Sequence, residues 1–249
     1  MNIAVFGATG GTGREVVTQA LEQGHRVTAF VRTPSKLGVQ NAALHVVQGD
    51  AMNPSAVEET VKGQDAVISA LGVSRGAPLT ICSQGTMNII SAMKYANVRR
   101  LVVESAYGTG ETKRGLYGNG VWMLIPSRIK DKDVMEKIVS ETPLDWVISR
   151  PVRLTNGPRT GVYRSRFAIS VGLFPKISRA DTAEFMLKPT TRIYMEDQRS
   201  HIRLDGHRVL AEGSNRPFGV RQGSMGRLRH VILILSRNVP NSIWDSSKS

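Results

Sequence analysis

The sequence predicts an α/β domain built on a doubly wound parallel sheet with helices on both faces, followed by an irregular C-terminal tail. Three observations predict it. Over the first half, short β-rich apolar runs alternate with amphipathic helical segments at intervals of about thirty residues, the rhythm of βαβ units. A glycine-rich turn separates the first such run from the first helical segment. The chain has 249 residues, 41% hydrophobic and 21% charged, which suffices for one larger domain or a domain with a tail and excludes a disordered chain.

Asn2–Phe6 forms the first strand, and a helix follows over Gly11–Gln23 with Val16, Val17, Ala20 and Leu21 on one face and Gly24 as its stop. Arg26–Val31 and Ala43–Gln48 are the next two strands. Asn53-Pro54 combines an N-cap residue with proline at the first helical position and opens a helix to about Lys62. Asp65–Leu71 is a fourth strand, and Leu79–Ala96 a longer helix whose apolar face is Ile81, Met87, Ile90 and Met93. Arg100–Ser105 is a fifth strand. Tyr107–Gly120 holds five glycines and little apolar periodicity, which predicts a long mobile loop near the strand ends. A helix resumes over Arg128–Glu141, Pro143 stops it, and Asp145–Ser149 is strand six. The last clear helix starts at Ser178, with Asp181 imitating a capping box, and runs through Phe185 and Met186.

Beyond Lys188 arginine, glycine and serine become frequent and amphipathic periodicity fades, so residues 1–188 are expected to form the folded domain and residues 189–249 a basic, poorly ordered tail. Within that tail His230–Leu235 is either a strand or an exposed sticky segment. No apolar run approaches the roughly 18 residues of a membrane span, and Met1 to Phe6 enters a strand pattern without a basic leader. The expectation is a cytoplasmic protein without membrane contact. The lone Cys82 excludes an internal disulfide and a multi-cysteine metal site; it reads as a small buried residue ahead of a nucleophile. The net charge of +13 is spread along the chain without a dense basic block. Diffuse positive charge favours anionic small ligands and identifies no specific nucleic-acid partner.

Gly7-Ala8-Thr9-Gly10-Gly11-Thr12-Gly13 lies between a strand and a helix, where glycines permit a sharp turn, close approach of a pyrophosphate, and tight helix–strand packing. The helix N-terminus offers free N–H groups to phosphate, and Thr9 and Thr12 offer hydroxyls. An enzyme that prefers NAD places an acid at the end of strand two to accept from the ribose hydroxyls. Here that end carries Arg32, with Ser35 and Lys36 behind it, and a guanidinium suits a 2′-phosphate. NADP is therefore expected, unless Arg32 is merely a solvated surface charge. Asp50 ends strand three and either accepts from the adenine amine or caps the following turn. Ala70, Leu71 and Gly72 end strand four, where small residues let a dinucleotide lie flat or simply pack.

These residues resemble the atypical short-chain dehydrogenase/reductase superfamily, and within it NAD(P)H-binding proteins similar to NmrA and to biliverdin/flavin reductase. The likeness rests on GATGGTG at Gly7–Gly13, Val31-Arg32 with Pro34-Ser35-Lys36-Leu37, Gly49-Asp50, Gly63 to Val67, LVVESA at Leu101–Ala106, Leu144-Asp145-Trp146 leading to Arg150-Pro151, and Lys176 to Asp181. It implies a Rossmann-type sheet with NADP across its C-terminal edge. It also implies that Gly7, Thr9, Gly10, Thr12, Arg32, Ser35, Lys36, Asp50, Ala51, Leu71, Gly72, Ser105 and Pro151 lie near the cofactor.

The chemistry departs from the superfamily's usual pattern. The tyrosine-x-x-x-lysine pair is absent, since Tyr107 is followed four residues on by Glu111 and Tyr117 by Val121. Hydride transfer needs a nicotinamide held against an acceptor, and the proton can come from solvent or a nearby hydroxyl. Ser105 and then Tyr107 are the candidate hydroxyls, and Lys132 is either a ribose contact or a solvated helix charge. The expected function is an NADPH-dependent reductase acting on a flavin, quinone or other small conjugated acceptor. The alternative is a non-catalytic, NmrA-like redox sensor acting on a protein partner.

Overall fold

In the computed structural model the described residues are 1–74, 76–113, 115–166, 171, 175–188 and 229–236. Strands β1 (Asn2–Phe6), β2 (Arg26–Val31), β3 (Leu44–Gln48), β4 (Ala66–Ser69), β5 (Arg100–Glu104) and β6 (Asp145–Pro151) form a parallel array in the order β3-β2-β1-β4-β5-β6. β1 pairs with β2 on one side, Val5 opposite Ala29, and with β4 on the other, Val5 opposite Ile68. The strand order therefore reverses at β1, and in open α/β sheets the crevice outside the carboxyl ends of the strands at such a reversal takes ligands.

Alternation along each strand sorts its side chains to two cores. Ile3 and Val5 of β1 face helices α1 (Gly11–Glu22) and α6 (Arg179–Leu187), packing with Val16, Val17, Phe185 and Met186. Ala4 and Phe6 face the opposite layer of α2 (Pro54–Val61), α3 (Ile81–Tyr95) and α5 (Pro126–Ser140), among Val57, Ile89, Met93 and Met135. Helices thus cover both faces, as the run of uninterrupted apolar strands requires.

Local chemistry sets the helix starts. Asn53 Oδ1 accepts from the amides of Ser55 and Ala56, and Ser178 Oγ accepts from Asp181 N, so both expected caps form. The third helix starts at Ile81, two residues later than its periodicity predicts, because its cap comes from outside. The Asp131 carboxylate of α5 accepts from Cys82 N at 2.9 Å and Ser83 N at 3.1 Å. Of the expected apolar face Ile81, Ile90 and Met93 are buried, whereas Met87 is 45% exposed and Ile89 packs in its place.

The segment expected to be a long loop, Tyr107–Gly120, is folded. Gly110–Lys113 is a 3-10 turn, and α4 spans Gly115–Leu124. Hydroxyls do what apolar periodicity does elsewhere. Thr112 Oγ1 donates to Thr109 O at 2.6 Å and accepts from Gly108 N at 2.8 Å, while Thr109 Oγ1 donates to the buried Glu136. Glu136 of α5 holds the buried Arg150 of β6 through two bonds, and Arg150 also pairs with the exposed Glu111, which ties this segment to β6.

Three short strands complete the β-structure. β7 (Arg153–Thr155) pairs with β9 (Lys176–Ser178), and β8 (Tyr163–Arg166) lies at the sheet edge. Between β8 and β6 runs β10 (Arg229–Ser236), parallel to β6 and antiparallel to β8. The apolar run at His230–Leu235 is thus a strand, and the rest of the expected tail, 189–228 and 237–249, lies outside the described residues.

Candidate cofactor-binding site

The turn after β1 is shaped by steric necessity. Gly7 has φ +78, and a Cβ there would meet the Ala70 carbonyl oxygen at 2.4 Å. Gly10 N donates to Gly7 O at 2.9 Å, closing the turn. A Cβ on Gly13 would lie 2.2 Å from Gly7 O, so Gly13 brings α1 against the turn and does not itself line the cleft. Gly10 caps α1 without a side-chain acceptor, which leaves first-turn amides for an anion.

A continuous cleft of about 1040 Å³ opens along the carboxyl ends of the strands. Gly7, Thr9, Gly10, Gly11 and Thr12 line it from the turn, and Arg32 and Lys36 from the end of β2. Asp50 and Ala51 line it after β3, and Ala70, Leu71 and Gly72 after β4. Ser105, Tyr107, Lys132 and Pro151 complete the far end. Ser35 is exposed in the 3-10 turn Pro34–Lys36 and is not part of this lining.

Several of these side chains already have partners within the chain. The Arg32 guanidinium donates to Ser74 Oγ at 2.7 Å and reaches Gly76 O, so it is held at the cleft rim by the loop after β4. Asp50 Oδ1 accepts from Met52 N at 2.9 Å, the turn-capping alternative. Thr12, expected to present its hydroxyl to phosphate, donates instead to Glu104 Oε1 at 2.9 Å. Lys132 is not a solvated helix charge; its Nζ donates to the backbone oxygen of Glu104 at 2.8 Å.

Among the cleft residues that escaped sequence reasoning, Glu104 and Arg179 bear on the glycine turn. Glu104 ends β5 inside the apolar run LVVESA, and that buried carboxylate was the signal available. Burial pushes its carboxyl above the usual range, opposed by Lys132, by the Thr12 hydroxyl and by Arg179. Arg179, first residue of α6, lays its side chain over Gly11, where a Cβ would meet its Cδ at 2.4 Å, and donates to Asn156 Oδ1 at 2.6 Å. It stands too far along the chain from the glycine turn for any local pattern to announce it.

The far end is lined by hydroxyls and apolar side chains. Ser105 Oγ is buried, and among the described residues it has no hydrogen-bond partner. Tyr107 packs at 5.5 Å against Tyr117, and burial raises both phenols. Val121, Leu124 and Ile125 of α4 and its exit continue this wall. Cys82 Sγ sits 3.4 Å from Leu71 O, and burial pushes its thiol to about 11 against the pull of Lys132, so it is a protonated wall group. Among the described residues no cluster of His, Cys, Asp and Glu is arranged to hold a metal, and no helix is long and apolar enough to cross a membrane.

Fold and cleft together define a dinucleotide-binding α/β protein of the Rossmann type. The model of the NAD(P)H-binding family matches residues 7–191, and the chain belongs to that family, within the atypical short-chain dehydrogenase/reductases. It is 32% identical over 204 residues to the reductase pytE of Aspergillus terreus, covering 63% of this chain and 77% of that one. It is 29% identical over 152 residues to the photosystem II assembly factor Ycf39 of Synechocystis, covering 59% of this chain and 43% of the relative. The chain spans about half the length of several curated relatives it matches. Among solved structures it is similar to ChuY, an anaerobillin reductase from Escherichia coli, with a TM-score of 0.66 at 17% identity over 96% of this chain and 99% of that one.

The residues fit the group the family binds. Gly7 lets the turn close against the Ala70 carbonyl, the α1 amides lack a side-chain acceptor, and cations stand at Arg32, Lys36, Lys132 and Arg179.

Proposed function

We propose that this protein is an NADPH-dependent reductase that passes hydride to a small conjugated acceptor such as a flavin or quinone. The observation that carries this reading is one continuous cleft with two chemistries. A glycine turn with Arg32, Lys36 and Arg179 forms one end, and a wall of Tyr107, Tyr117, Val121 and Leu124, with Lys132 and Arg153 at its margin, forms the other. The first end suits a phosphorylated dinucleotide; the second suits a flat apolar ring.

When bound, the nicotinamide supplies the hydride. The chain's own part is to hold, orient and exclude water. The turn amides and Thr9 bind the diphosphate, with Arg179 above Gly11 adding charge. Arg32 and Lys36 receive the 2′-phosphate once Arg32 gives up Ser74. Ser105 offers its unpartnered hydroxyl to the reacting end, and Tyr107, kept protonated by burial, is the second donor there. With no tyrosine-x-x-x-lysine pair, the acceptor best served is one whose proton also comes from solvent.

Calorimetry tests the cofactor reading. NADPH is expected to bind more tightly than NADH, and Arg32→Ala to remove most of that difference, on the order of 10- to 100-fold for a charge-assisted contact of about 1.5–3 kcal/mol. Equal binding of the two by the unaltered protein refutes the 2′-phosphate assignment. Steady oxidation of NADPH in the presence of free flavin or a quinone, reduced in Ser105→Ala with little change in NADPH affinity, supports the reductase. The absent proton relay favours the sensor as a second reading, and tight NADPH binding without turnover on any acceptor selects it.

A further inference from the structure

The carboxyl of Glu104 occupies an unusual place. It lies under the phosphate turn, in contact with that turn's own threonine, in a cleft where, among the described residues, six cations face it and Asp50. Thr12 has one hydroxyl proton. In the arrangement observed it is spent on Glu104 Oε1, and a diester phosphate oxygen, which only accepts, can receive nothing from Thr12 while that bond stands. A carboxylate there also repels the arriving phosphates at short range in a low-dielectric site.

We propose that Glu104 takes up one proton from solvent when the dinucleotide binds, its carboxyl turning from acceptor to donor toward Thr12 Oγ1 and so releasing the Thr12 proton to a diphosphate oxygen. Glu104 is then a positioning residue that links cofactor affinity to pH. The inference rests on the reading of the cleft as a dinucleotide site. The exchange needs no movement of the backbone, because a protonated carboxyl and a hydroxyl share the same 2.9 Å contact in either direction.

The groups that face Glu104 set the balance. Lys132 of α5 and Arg179 of α6 favour its ionised form, Thr12 of α1 hydrogen-bonds to it, and the Cys82 thiol of α3, also within its field, stays protonated. Burial works against both cations and favours the neutral form. Bound phosphates draw on the same two cations, which weakens their hold on the carboxylate and makes proton uptake follow binding. No histidine lines the cleft among the described residues, so no second group of ordinary mid-range titration stands there.

NADH is the probe, since it lacks the 2′-phosphate that itself titrates. Calorimetry of the whole chain with NADH in buffers of different ionisation enthalpy is expected to show uptake approaching one proton at the alkaline end of pH 6–9. Over that range the dissociation constant rises by up to tenfold per pH unit once the free carboxyl is ionised. Glu104→Gln offers its amide N–H to Thr12 at every pH, so the variant is expected to bind NADH with a flat pH profile and more tightly than the unaltered protein at pH 9. Thr12→Val is expected to lose affinity at low pH, where the freed hydroxyl would otherwise serve the diphosphate, and to keep the part of the slope that comes from repulsion by the carboxylate. NADH binding without proton uptake, or an equal slope in Glu104→Gln, overturns the inference and leaves the cofactor reading standing. Failure of the unaltered chain to bind either dinucleotide overturns both.

Discussion

Gly7 holds a left-handed backbone and presses against the Ala70 carbonyl, so its replacement is charged twice. The conformation alone costs an L-residue about 1–2 kcal/mol, and the 2.4 Å approach must then be relieved by parting β1 from β4. Gly7→Ala is therefore expected to lower the denaturation midpoint and abolish NADPH binding, read by urea titration and calorimetry; a variant with unchanged cofactor affinity contradicts the turn's role. Glu104 leaves a different mark on stability. Burial raises its folded-state carboxyl, so its contribution is fully present below the ordinary glutamate range and is lost as pH rises through the raised value. Asp181 runs the other way: burial raises it, but amide bonds from Gly161 and Thr160 win and lower it, so its contribution is present above the usual aspartate range and lost on acidification. Glu104→Gln should raise the melting temperature at pH 8 and change little at pH 4, whereas a gain only at pH 4 would reverse the sign assigned to burial. At this scale the sequence was uneven. The glycine spacing and the Arg32 substitution are local and were legible, but Thr12's commitment to Glu104 and Arg179's reach over Gly11 are contacts between distant parts of the chain.

Elements cap and tie one another across the cleft. Asp131 supplies from α5 the acceptor that the start of α3 lacks, and its neighbour Lys132 grips the end of β5, so one turn of helix fixes two walls of the site. Asp131→Ala is expected to cost about 1–2 kcal/mol, the worth of a strong cap, and to raise the KM for cofactor through the displaced Lys132. The Arg150–Glu136 pair is buried on both sides, and Glu136→Ala leaves the guanidinium with only the exposed Glu111 as counter-charge, so a loss toward the lower end of the roughly 3–5 kcal/mol typical of a broken buried pair is expected. Denaturant unfolding checks both, and a smaller loss at Glu136 than at Asp131 would show that the network is dispensable. Legibility here followed the locality of the signal. Asn53 and Ser178 cap helices within their own segments and were readable, whereas α3 borrows its cap from 49 residues away and its start was misplaced. The glycine-rich stretch read as loop because its order comes from Thr109, Thr112 and Arg150 rather than from apolar periodicity.

At the scale of the whole molecule, the reversal of strand order at β1 gathers the ends of β1 to β6 along one edge, in a chain whose net charge is +13. Alternation of strands and helices made that architecture legible, while the insertion of β10 between β6 and β8 was not, since nothing near His230 names its neighbours. The charge adds a long-range term to the short-range contacts of the site. Arg32, Lys36, Arg128, Lys132, Arg153 and Arg179 line the cleft against Asp50 and Glu104. Their field favours the more anionic dinucleotide even before any hydrogen bond forms. Fields of this kind are screened over about 10 Å at 0.1 M salt, whereas a guanidinium seated on a phosphate is screened much less. Raising sodium chloride from about 50 to about 500 mM is therefore expected to weaken NADPH more than NADH, with a residual preference surviving at high salt from the Arg32 contact. In Arg32→Ala the salt-dependent part should persist and the residue vanish. If the preference of the unaltered protein is the same at both salt concentrations, the selection is wholly a matter of contact and the surrounding charge plays no part in it.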